Sequence, residues 1–437
     1  MKLTMLAKLR FPDPLALAMI LSLITMLLAW LFGPNTSKTW HGMVDVFAFW
    51  EKGFWDLLAF SMQMVLILFL GYMLALTPIL DGLSNRLTKL ASQPVALITM
   101  VAFSALILGF VNWGLALVFG AVFVRKIGDA ACREGRSIPY ALLGATAYVC
   151  MMVWHGGLSG SAPLSVAEES HFLSGQSGTI SLSDTIFSKM NLWAWAVLVP
   201  GILILALIML KKAKFIIPSS DVNSSFATVK PEKTTRTPYG LLFYFGLLMF
   251  AASLINKIFV SSSSAIGLND INFILLSFVF IFAGDVRTLQ AIATRAIGST
   301  LGIVIQFPLY AGIMGIVKYS GLLVVFTQWF SGVADAQTFP VLTMLSAGLV
   351  NLFVPSGGGQ WAVQGPLIIE TARLVDIPFS KAVMALAYGD QLTNMLQPFW
   401  ALPLLGITGL KAGQLFRYTI IYFLFGLLVF GMVLSVI

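Results

Sequence analysis

Long, mainly apolar runs recur along this chain of 437 residues and are separated by short polar stretches. A helix needs roughly 20 such residues to cross the hydrocarbon core of a bilayer. The runs lie at 15–33, 55–79, 94–111, 138–154, 191–210, 239–259, 271–283, 296–317, 333–350, 379–389 with its continuation, and 418–437. They predict an all-α integral membrane protein with about 10–12 membrane segments.

The composition excludes several other classes of protein. Apolar residues make up 58% of the chain and charged residues 10%, whereas a soluble domain carries about 25% charged residues. The 26 Lys and Arg exceed the 18 Asp and Glu, which is typical of cytoplasmic loops in membrane proteins. No basic run interleaved with aromatic residues is present, so a nucleic acid partner is not expected. Two cysteines and three histidines without metal-binding spacing predict no protein metal cluster.

The order of charges suggests how the chain is divided. Basic residues precede the first apolar run, which predicts a retained first membrane helix with a cytoplasmic N terminus. The most polar stretch, 211–238, is rich in Lys, Ser and Thr and predicts a flexible cytoplasmic linker. We therefore expect a first membrane repeat over 1–210 and a second over 239–437.

The two halves share spaced motifs. A shift of 239 residues places 109–112 on 348–351, both of the form Gly-x-Val-Asn, and 138–140 on 377–379, both Ile-Pro-aromatic. The spacing between the motifs is preserved without a gap, which is stronger evidence than any single identity in an apolar sequence.

The loops near these motifs differ in charge between the halves. Residues 125–137 contain four basic and two acidic side chains, whereas 364–381 contain two of each. The positive-inside tendency then places the first loop in the cytoplasm and lets the second face outward. This pattern predicts an inverted-topology repeat, which is found in many secondary transporters.

One pair of segments, 110–114 and 350–360, is too polar and glycine-rich for a helix that faces lipid. Non-helical backbone survives at membrane depth only where protein or a wet cavity covers it, so each segment predicts the tip of a re-entrant helical hairpin. Glycines and Ser at 356–359 would leave backbone N–H groups free at a helix start, which favours an anion. The alternative is a small-residue helix contact, which three adjacent glycines after Pro-Ser do not match.

A second pair, 154–163 and 388–400, predicts spanning helices that unwind partway. Asp390 is a carboxylate within an apolar region, and such a group is a functional candidate because its burial is costly. It could bind a cation, carry a proton or pair with a buried Arg. His155, which the shift places on Asn394, could relay protons or serve as a hydrogen-bonding brace.

Two competing functions remain open from the residues alone. Residues 157–160 match the Gly-x-Ser-Gly of rhomboid intramembrane proteases, with Ser159 as the nucleophile. Those enzymes need a His on a later membrane helix, but the one His after Ser159 is His171, in an expected outer loop. The second competitor is a passive channel, which suits paired broken helices less well than alternating access does. We therefore expect no enzyme activity.

Several of these motifs resemble the bacterial short-chain fatty acid transporters of the acetoacetate-degradation type. The resemblance runs from about Phe11 to the C terminus, and its most specific part is the sequence PSGGGQW ending at Trp361. The matching segments are 58–64, 111–114, 154–161, 306–313, 351–361 and 397–403. That family belongs with the ion transporter superfamily, which also contains dicarboxylate/sodium symporters. The resemblance implies paired re-entrant hairpins, a homodimer and elevator-like movement of a transport domain.

Together these features predict a secondary active transporter that imports butyrate- or acetoacetate-like monocarboxylates across a bacterial inner membrane by symport with Na⁺ or H⁺. A dicarboxylate/sodium symporter is the alternative. The residues expected to hold the substrate carboxylate are Ser159, Gly160, Ser161, Ser356, Gly357, Gly358, Gly359 and Gln360. The residues expected to form the coupling site are Asp390, Asn394, Asn112, Asn351 and His155. If Na⁺ is the coupling ion, its expected ligands are Asn112, Asn351, Asp390 and Asn394, and no other cofactor is expected.

Overall fold

The computed structural model describes residues 14–56, 58–90, 93–218, 240–260, 267–352 and 356–437. Within these ranges the chain is almost entirely helical, and the sole β-type pairing is an isolated bridge between Ile138 and Ile216. The all-α fold class predicted from the apolar runs is therefore confirmed. The predicted linker is described only as far as residue 218, and its remainder lies outside the described residues.

The helices of each half follow in chain order. Those of the first half are α1 (Pro14–Phe32), α2 (Trp40–Asp56), α3 (Leu58–Ala75), α4 (Pro78–Leu90), α5 (Pro94–Val111), α6 (Trp113–Arg133), α7 (Tyr140–Ala147), α8 (Ser161–Val166), α9 (Ser174–Ser177) and α10 (Lys189–Leu210). Those of the second half are α11 (Leu241–Ile255), α12 (Leu268–Ala283), α13 (Val286–Ile297), α14 (Leu301–Tyr319), α15 (Leu322–Val333), α16 (Phe339–Asn351), α17 (Gly357–Leu374), α18 (Phe379–Asn394), α19 (Pro398–Thr408) and α20 (Ala412–Val436). Short 3₁₀ turns occur at Tyr148–Met152, Trp154–Gly156 and Gly298–Thr300, and a π turn at Asn256–Val260.

Four of the described helices are long and apolar enough to cross a membrane, namely α3, α5, α10 and α20. A fifth candidate is the bent pair Tyr140–Met152 and Trp154–Val166, whose two parts meet at 42°. Shorter apolar helices include α11, α12 and α16. Large apolar side chains such as Ile204 and Ile208 of α10 are exposed, which suits a surface in contact with lipid.

The predicted runs differ from the helices where a helix is amphipathic. The run at 55–79 begins in the last turn of α2 and covers α3, but most of α2 was not predicted. Most of α4 and of α13 was likewise not predicted. Both carry charges on one face, and α13 buries Ile292 and Ala296 on the other. Mixed polarity keeps these helices below the threshold of a membrane-spanning run.

Helices of the two halves pack directly on each other. In the crossing of α2 with α14, a Cβ on Gly53 would lie 2.5 Å from the Cα of Gly315, so the two backbones touch where neither residue has a side chain. Glycines at facing positions allow this close approach. In the second half, α16 and α17 both pack on α18, and α17 also packs on α14. This arrangement brings the start of α17 between α18 on one side and α14 on the other.

Each half contains one pair of helices joined by a short break and one broken helix. The hairpins are α5–α6, which turns at Asn112, and α16–α17, whose connection at 353–355 lies outside the described residues. The first broken helix passes from α7 through 3₁₀ turns and an irregular stretch to α8. In the second, the break comes later than predicted, because 388–394 are helical within α18 and the interruption spans 395–397. Asp390 is therefore held by regular helix rather than by unwound backbone.

Candidate functional site

Asp390 and His155 form a buried carboxylate–imidazole pair where the first broken helix meets α18. The Oδ2 atom of Asp390 lies 2.7 Å from Nδ1 of His155, and neither side chain is appreciably exposed. The other ring nitrogen, Nε2, accepts a hydrogen bond of 3.1 Å from the N–H of Ala162 at the start of α8. Despite the short Nδ1–Oδ2 distance, neither Nδ1 of His155 nor either carboxylate oxygen of Asp390 makes a hydrogen bond to a described residue.

The imidazole is held in place by its neighbours. The ring of Trp154 stacks on it with the ring centroids 4.4 Å apart. The backbone N–H groups of His155 and Gly156 both donate to Oε1 of Gln391, at 3.0 and 3.3 Å. The amide of Gln391 thus ties the 3₁₀ turn of one half to α18 of the other.

The first turn of α17 lies against this pair. A Cβ on Gly357 would lie 2.5 Å from the Trp154 ring and 2.6 Å from Oδ2 of Asp390, so only a glycine lets the backbone come this close. Ser356 caps the helix, and its Oγ accepts from the N–H of Gly359. The N–H groups of Gly357 and Gly358 donate to none of the described residues. They form the positive end of the helix dipole beside a carboxylate.

A cluster of oxygen atoms adjoins the pair on α18. The Nδ2 atom of Asn351 lies 2.8 Å from the backbone oxygen of Asp390, 2.9 Å from Oγ1 of Thr393 and 2.7 Å from Oδ1 of Asn394. The backbone oxygen of Asn351 in turn accepts from Nε2 of Gln397 at 2.8 Å. An amide nitrogen has two hydrogens, so three acceptors around one such atom form an oxygen-rich site. Three of the four residues expected to bind Na⁺ meet here.

The fourth, Asn112, serves the first hairpin. Its Oδ1 caps α6 by accepting from the N–H of Leu115, and its Nδ2 donates to the backbone oxygen of Ile67. Ser159 braces the same tip, because its Oγ accepts from the N–H of Trp113 at 3.0 Å. Through these hydrogen bonds, Asn112 and Ser159 both stabilise the first hairpin.

The geometry does not support the protease alternative. The ring nitrogens of His155 face Asp390 and Ala162. Those of His171 face the backbone of Gly178 and Leu173. Within the described chain no His is bonded to Ser159, so a Ser–His nucleophile is not assembled.

Three further residues were predicted to hold the substrate carboxylate, and the structure places them differently. Gly160 makes a tight turn against the backbone oxygen of His155, and Ser161 begins α8 as a buried residue. Gln360 points into its own hairpin, since its Nε2 donates to Ala347 O at 2.8 Å and to Gln364 Oε1 at 2.9 Å. Gln360 therefore joins α16 to α17 rather than facing the pair.

Side chains from α3 and α14 close the other side of the glycine turn. A Cβ on Gly358 would lie 2.8 Å from the ring of Phe307 and 2.9 Å from Cγ of Met64, and one on Gly359 would lie 2.5 Å from the ring of Tyr310. Sequence reasoning missed Met64, Phe307 and Tyr310 as site residues, although all three lie in segments that carry the resemblance.

Buried polar atoms without a hydrogen-bond partner collect around this turn. Among the described residues they include Asp390 Oδ1 and Oδ2, His155 Nδ1, Trp154 Nε1, Tyr310 Oη, Asn351 Oδ1, Asn394 Nδ2, Gln397 Oε1 and Trp361 Nε1. Buried polar groups are hydrogen-bonded in the great majority of cases. The unpartnered atoms of Asp390, His155 and Trp154 make this contact the candidate functional site.

A family model described as "Short chain fatty acid transporter" matches residues 1–437. The chain belongs to this family. A relative from Escherichia coli (strain K12), named as a candidate short-chain fatty acid transporter, is 34% identical over 429 residues, which cover 96% of this chain and 94% of the relative. One of the same name from Haemophilus influenzae is 35% identical over 417 residues, covering 91% and 90%. The expected family and the expectation of a non-enzyme are confirmed.

Solved membrane transporters share the fold of this short-chain fatty acid transporter. The YdaH transporter of Alcanivorax borkumensis, described as having an unusual topology, matches with a TM-score of 0.60 at 14% identity, covering 97% of this chain and 98% of that one. MtrF of Neisseria gonorrhoeae, described as illuminating a class of antimetabolite efflux pumps, matches with a TM-score of 0.59 at 16% identity, covering 98% and 95%. At these identities the likeness is one of fold.

We expect replacement of Asn351 by Leu to destabilise the transporter. The change leaves the oxygens of Asp390, Thr393 and Asn394 buried without their donor, and each unsatisfied group costs about 1–3 kcal/mol. The measurement is thermal unfolding of the purified protein in detergent. Asn85→Leu is the matched control, because Asn85 is exposed and makes one hydrogen bond to Asp81 within α4. Equal midpoints for the two variants would contradict a structural role for Asn351.

Proposed function

We propose that this transporter imports short-chain monocarboxylates, such as butyrate or acetoacetate, by symport with a cation across a bacterial inner membrane. The observation that carries the proposal is the buried Asp390–His155 pair, which lies against a glycine turn whose first N–H groups donate to none of the described residues. The cargo class follows from the family and from the names of its relatives. The basic N terminus and the positive-inside tendency support a cytoplasmic N terminus.

The substrate carboxylate would be bound by the N–H groups of Gly357 and Gly358. A helix N terminus with free donors is a favourable place for an anion. The short apolar tail would then lie toward Met64, Phe307 and Tyr310, which close the opposite side of the turn. A tail of few carbons needs little apolar surface, so a narrow site suffices.

The coupling cation would bind beside Asp390 and the oxygens around Asn351. A negative cell interior repels an anion, and moving one charge through 100 mV is worth about 2.3 kcal/mol. One cation per substrate cancels this cost, and a second makes the membrane potential favour entry. A proton or Na⁺ satisfies this requirement, since the site offers both a carboxylate and neutral oxygens.

Alternating access would follow an elevator scheme in a homodimer. The site lies between the α16–α17 hairpin with α18 on one side and α3 with α14 on the other. Movement of the first group past the second would carry the bound substrate and cation together.

The test is uptake of labelled butyrate into proteoliposomes with Na⁺ and pH gradients imposed separately. We expect accumulation above the external concentration with one of the two gradients, which identifies the coupling ion. Protein-free liposomes correct for diffusion of the undissociated acid. Equilibration without accumulation would indicate a uniporter or channel. Transport of dicarboxylates but of no short monocarboxylate would overturn the proposed substrate.

A further inference from the structure

We infer that the transporter holds its substrate anion at a second place, in a cavity bounded by α2, α14, the start of α15, α17 and residues 172–176. The cavity measures about 270 Å³, and none of its lining residues belongs to the Asp390–His155 pair or to the glycine turn. Pockets for drug-sized ligands measure about 300–1,000 Å³, so this volume suits a smaller molecule. The inference rests on the proposed function and adds to it a vestibule formed by this cavity.

The vestibule presents donors that suit a carboxylate. Lys318 is exposed, and its Nζ makes no hydrogen bond or ion pair with any described residue. Gln176 lines the same space, and no described residue accepts from its Nε2. Both groups are hydrogen-bond donors, and the bond from an ammonium group to a carboxylate is of the stronger, charge-assisted kind.

The acidic residue of the vestibule, Asp56, is already bonded and is outnumbered by lysines. Its Oδ2 accepts from Oη of Tyr319 at 2.8 Å. Nζ of Lys52, one turn earlier in α2, lies 4.1 Å from the centroid of the Tyr319 ring, and Nζ of Lys318 lies 5.2 Å from it. Two ammonium groups therefore adjoin one carboxylate, and this local excess of positive charge attracts an anion.

Most of the remaining lining is apolar. Phe172, Leu323, Met314 and Pro366 belong to it. A cationic donor beside apolar side chains matches a molecule with one charged end and a short hydrocarbon tail. A second carboxylate would meet the apolar side chains without a partner, and burial of an unpaired charge is costly. The vestibule therefore suits a short monocarboxylate better than a dicarboxylate.

Phe172 connects the vestibule to the glycine turn through two further rings. Its ring centroid lies 5.8 Å from that of Phe60 on α3, which in turn lies 6.2 Å from that of Phe307 on α14. Phe307 contacts the turn at Gly358. These three rings separate a ligand in the vestibule from the N–H groups at the start of α17, which places the vestibule on a route to that site.

The first test measures the charge preference of the vestibule in purified protein in detergent, where no lipid headgroup competes. Leu323→Cys provides a thiol in the lining, and Cys132 is replaced by Ser, whereas Cys150 is completely buried and can stay. The thiol is modified with a sulfonatoethyl or a trimethylammonioethyl methanethiosulfonate. Relative to a free thiol in solution, we expect the negatively charged reagent to react faster than the positively charged one.

This preference should depend on Lys318. Lys318→Met keeps the length of the side chain but removes its charge, and we expect the preference to fall about two- to fivefold, as for the loss of an exposed ion pair. Lys318→Arg should retain the preference. Lys211→Met is the matched control, because Lys211 is an exposed lysine at the end of α10 that does not line the vestibule.

The second test asks whether butyrate itself occupies the vestibule. Butyrate should slow modification of Leu323→Cys, and the half-protecting concentration should rise about two- to fivefold in Lys318→Met. Protection should persist in Gly357→Ala, which alters the glycine turn but not the vestibule. From acetate to butyrate, the half-protecting concentration should fall by up to about fourfold for each added CH₂, because the tail contacts apolar side chains.

The outcomes separate the inference from the proposed function. Equal reactivity of the two reagents, or a preference that Lys318→Met leaves unchanged, would overturn the inference. Protection that is lost in Gly357→Ala but unchanged in Lys318→Met would also overturn it, because butyrate would then bind at the glycine turn alone. Equal protection by acetate, butyrate and sulfate would overturn the assignment to a monocarboxylate with an apolar tail. Absence of uptake of any short monocarboxylate by the wild type would instead overturn the proposed function, whereas the charge preference of the thiol does not depend on transport.

Discussion

Asp390→Asn is expected to abolish concentrative uptake while the protein remains folded. Asn has the shape of Asp, so the close buried contact with His155 can be kept without the negative charge. The variant then has no charge with which to bind the coupling cation, and the ion gradient no longer acts on the substrate. A gradient equivalent to 100 mV supports about a fiftyfold concentration ratio per charge, and we expect this ratio to fall to one.

The measurement is labelled butyrate in proteoliposomes under the gradient that drives the wild type. Downhill equilibration should persist in Asp390→Asn, which separates lost coupling from lost folding. Asp376→Asn should accumulate substrate as the wild type does, because its side chain is exposed outside the helices. Full concentrative uptake by Asp390→Asn would remove Asp390 from the coupling site.

The apolar helices were predictable because their ends are marked in the sequence. The run at 94–111 begins at Pro94 and ends before Asn112, and α5 has these same bounds. Proline at the first helical position and a polar cap after the last are strong boundary signals. The helix α2 gives no such signal, because Asp45, Glu51, Lys52 and Asp56 interrupt its apolar sequence. Hydropathy alone cannot distinguish it from a loop.

The sequence predicted which residues belong to the candidate site, but not which of them are in contact. The sequence identified Asp390 and His155 separately, because a carboxylate and an imidazole in apolar surroundings are unusual. It could not pair them, since the internal repeat places His155 on Asn394, one helical turn beyond Asp390. The true partner depends on how α18 is rotated against the 3₁₀ turn, and packing of the two halves determines that rotation.

Side-chain direction explains why Gln360, which was predicted to bind the substrate carboxylate, faces away from the pair. It also explains why Phe307 was missed. Gln360 belongs to the glycine motif, but its position on α17 turns it toward α16, where it bonds to Ala347. Phe307 lies far from the motif in sequence and reaches the turn because α14 packs across it. An apolar residue in a membrane helix carries no signal that separates a site wall from a lipid contact.

Gly357→Ala is expected to reduce transport about 5–150-fold at unchanged driving force. The added Cβ would lie 2.5 Å from Trp154 and 2.6 Å from Oδ2 of Asp390, where neither the stacked indole nor the buried carboxylate has free space. Overpacking of this kind costs about 1–3 kcal/mol, and here the cost falls on the turn whose N–H groups would bind substrate. The helix itself should tolerate Ala, since Ala is the better helix former.

The measurement is the initial rate of butyrate uptake, with unfolding midpoints determined in parallel. Gly413→Ala is the matched control, because Gly413 lies in the first turn of α20 and a Cβ there would meet nothing within 4 Å. We expect the control to transport at the wild-type rate. Wild-type rates in Gly357→Ala alone would mean that the first turn of α17 does not approach the substrate.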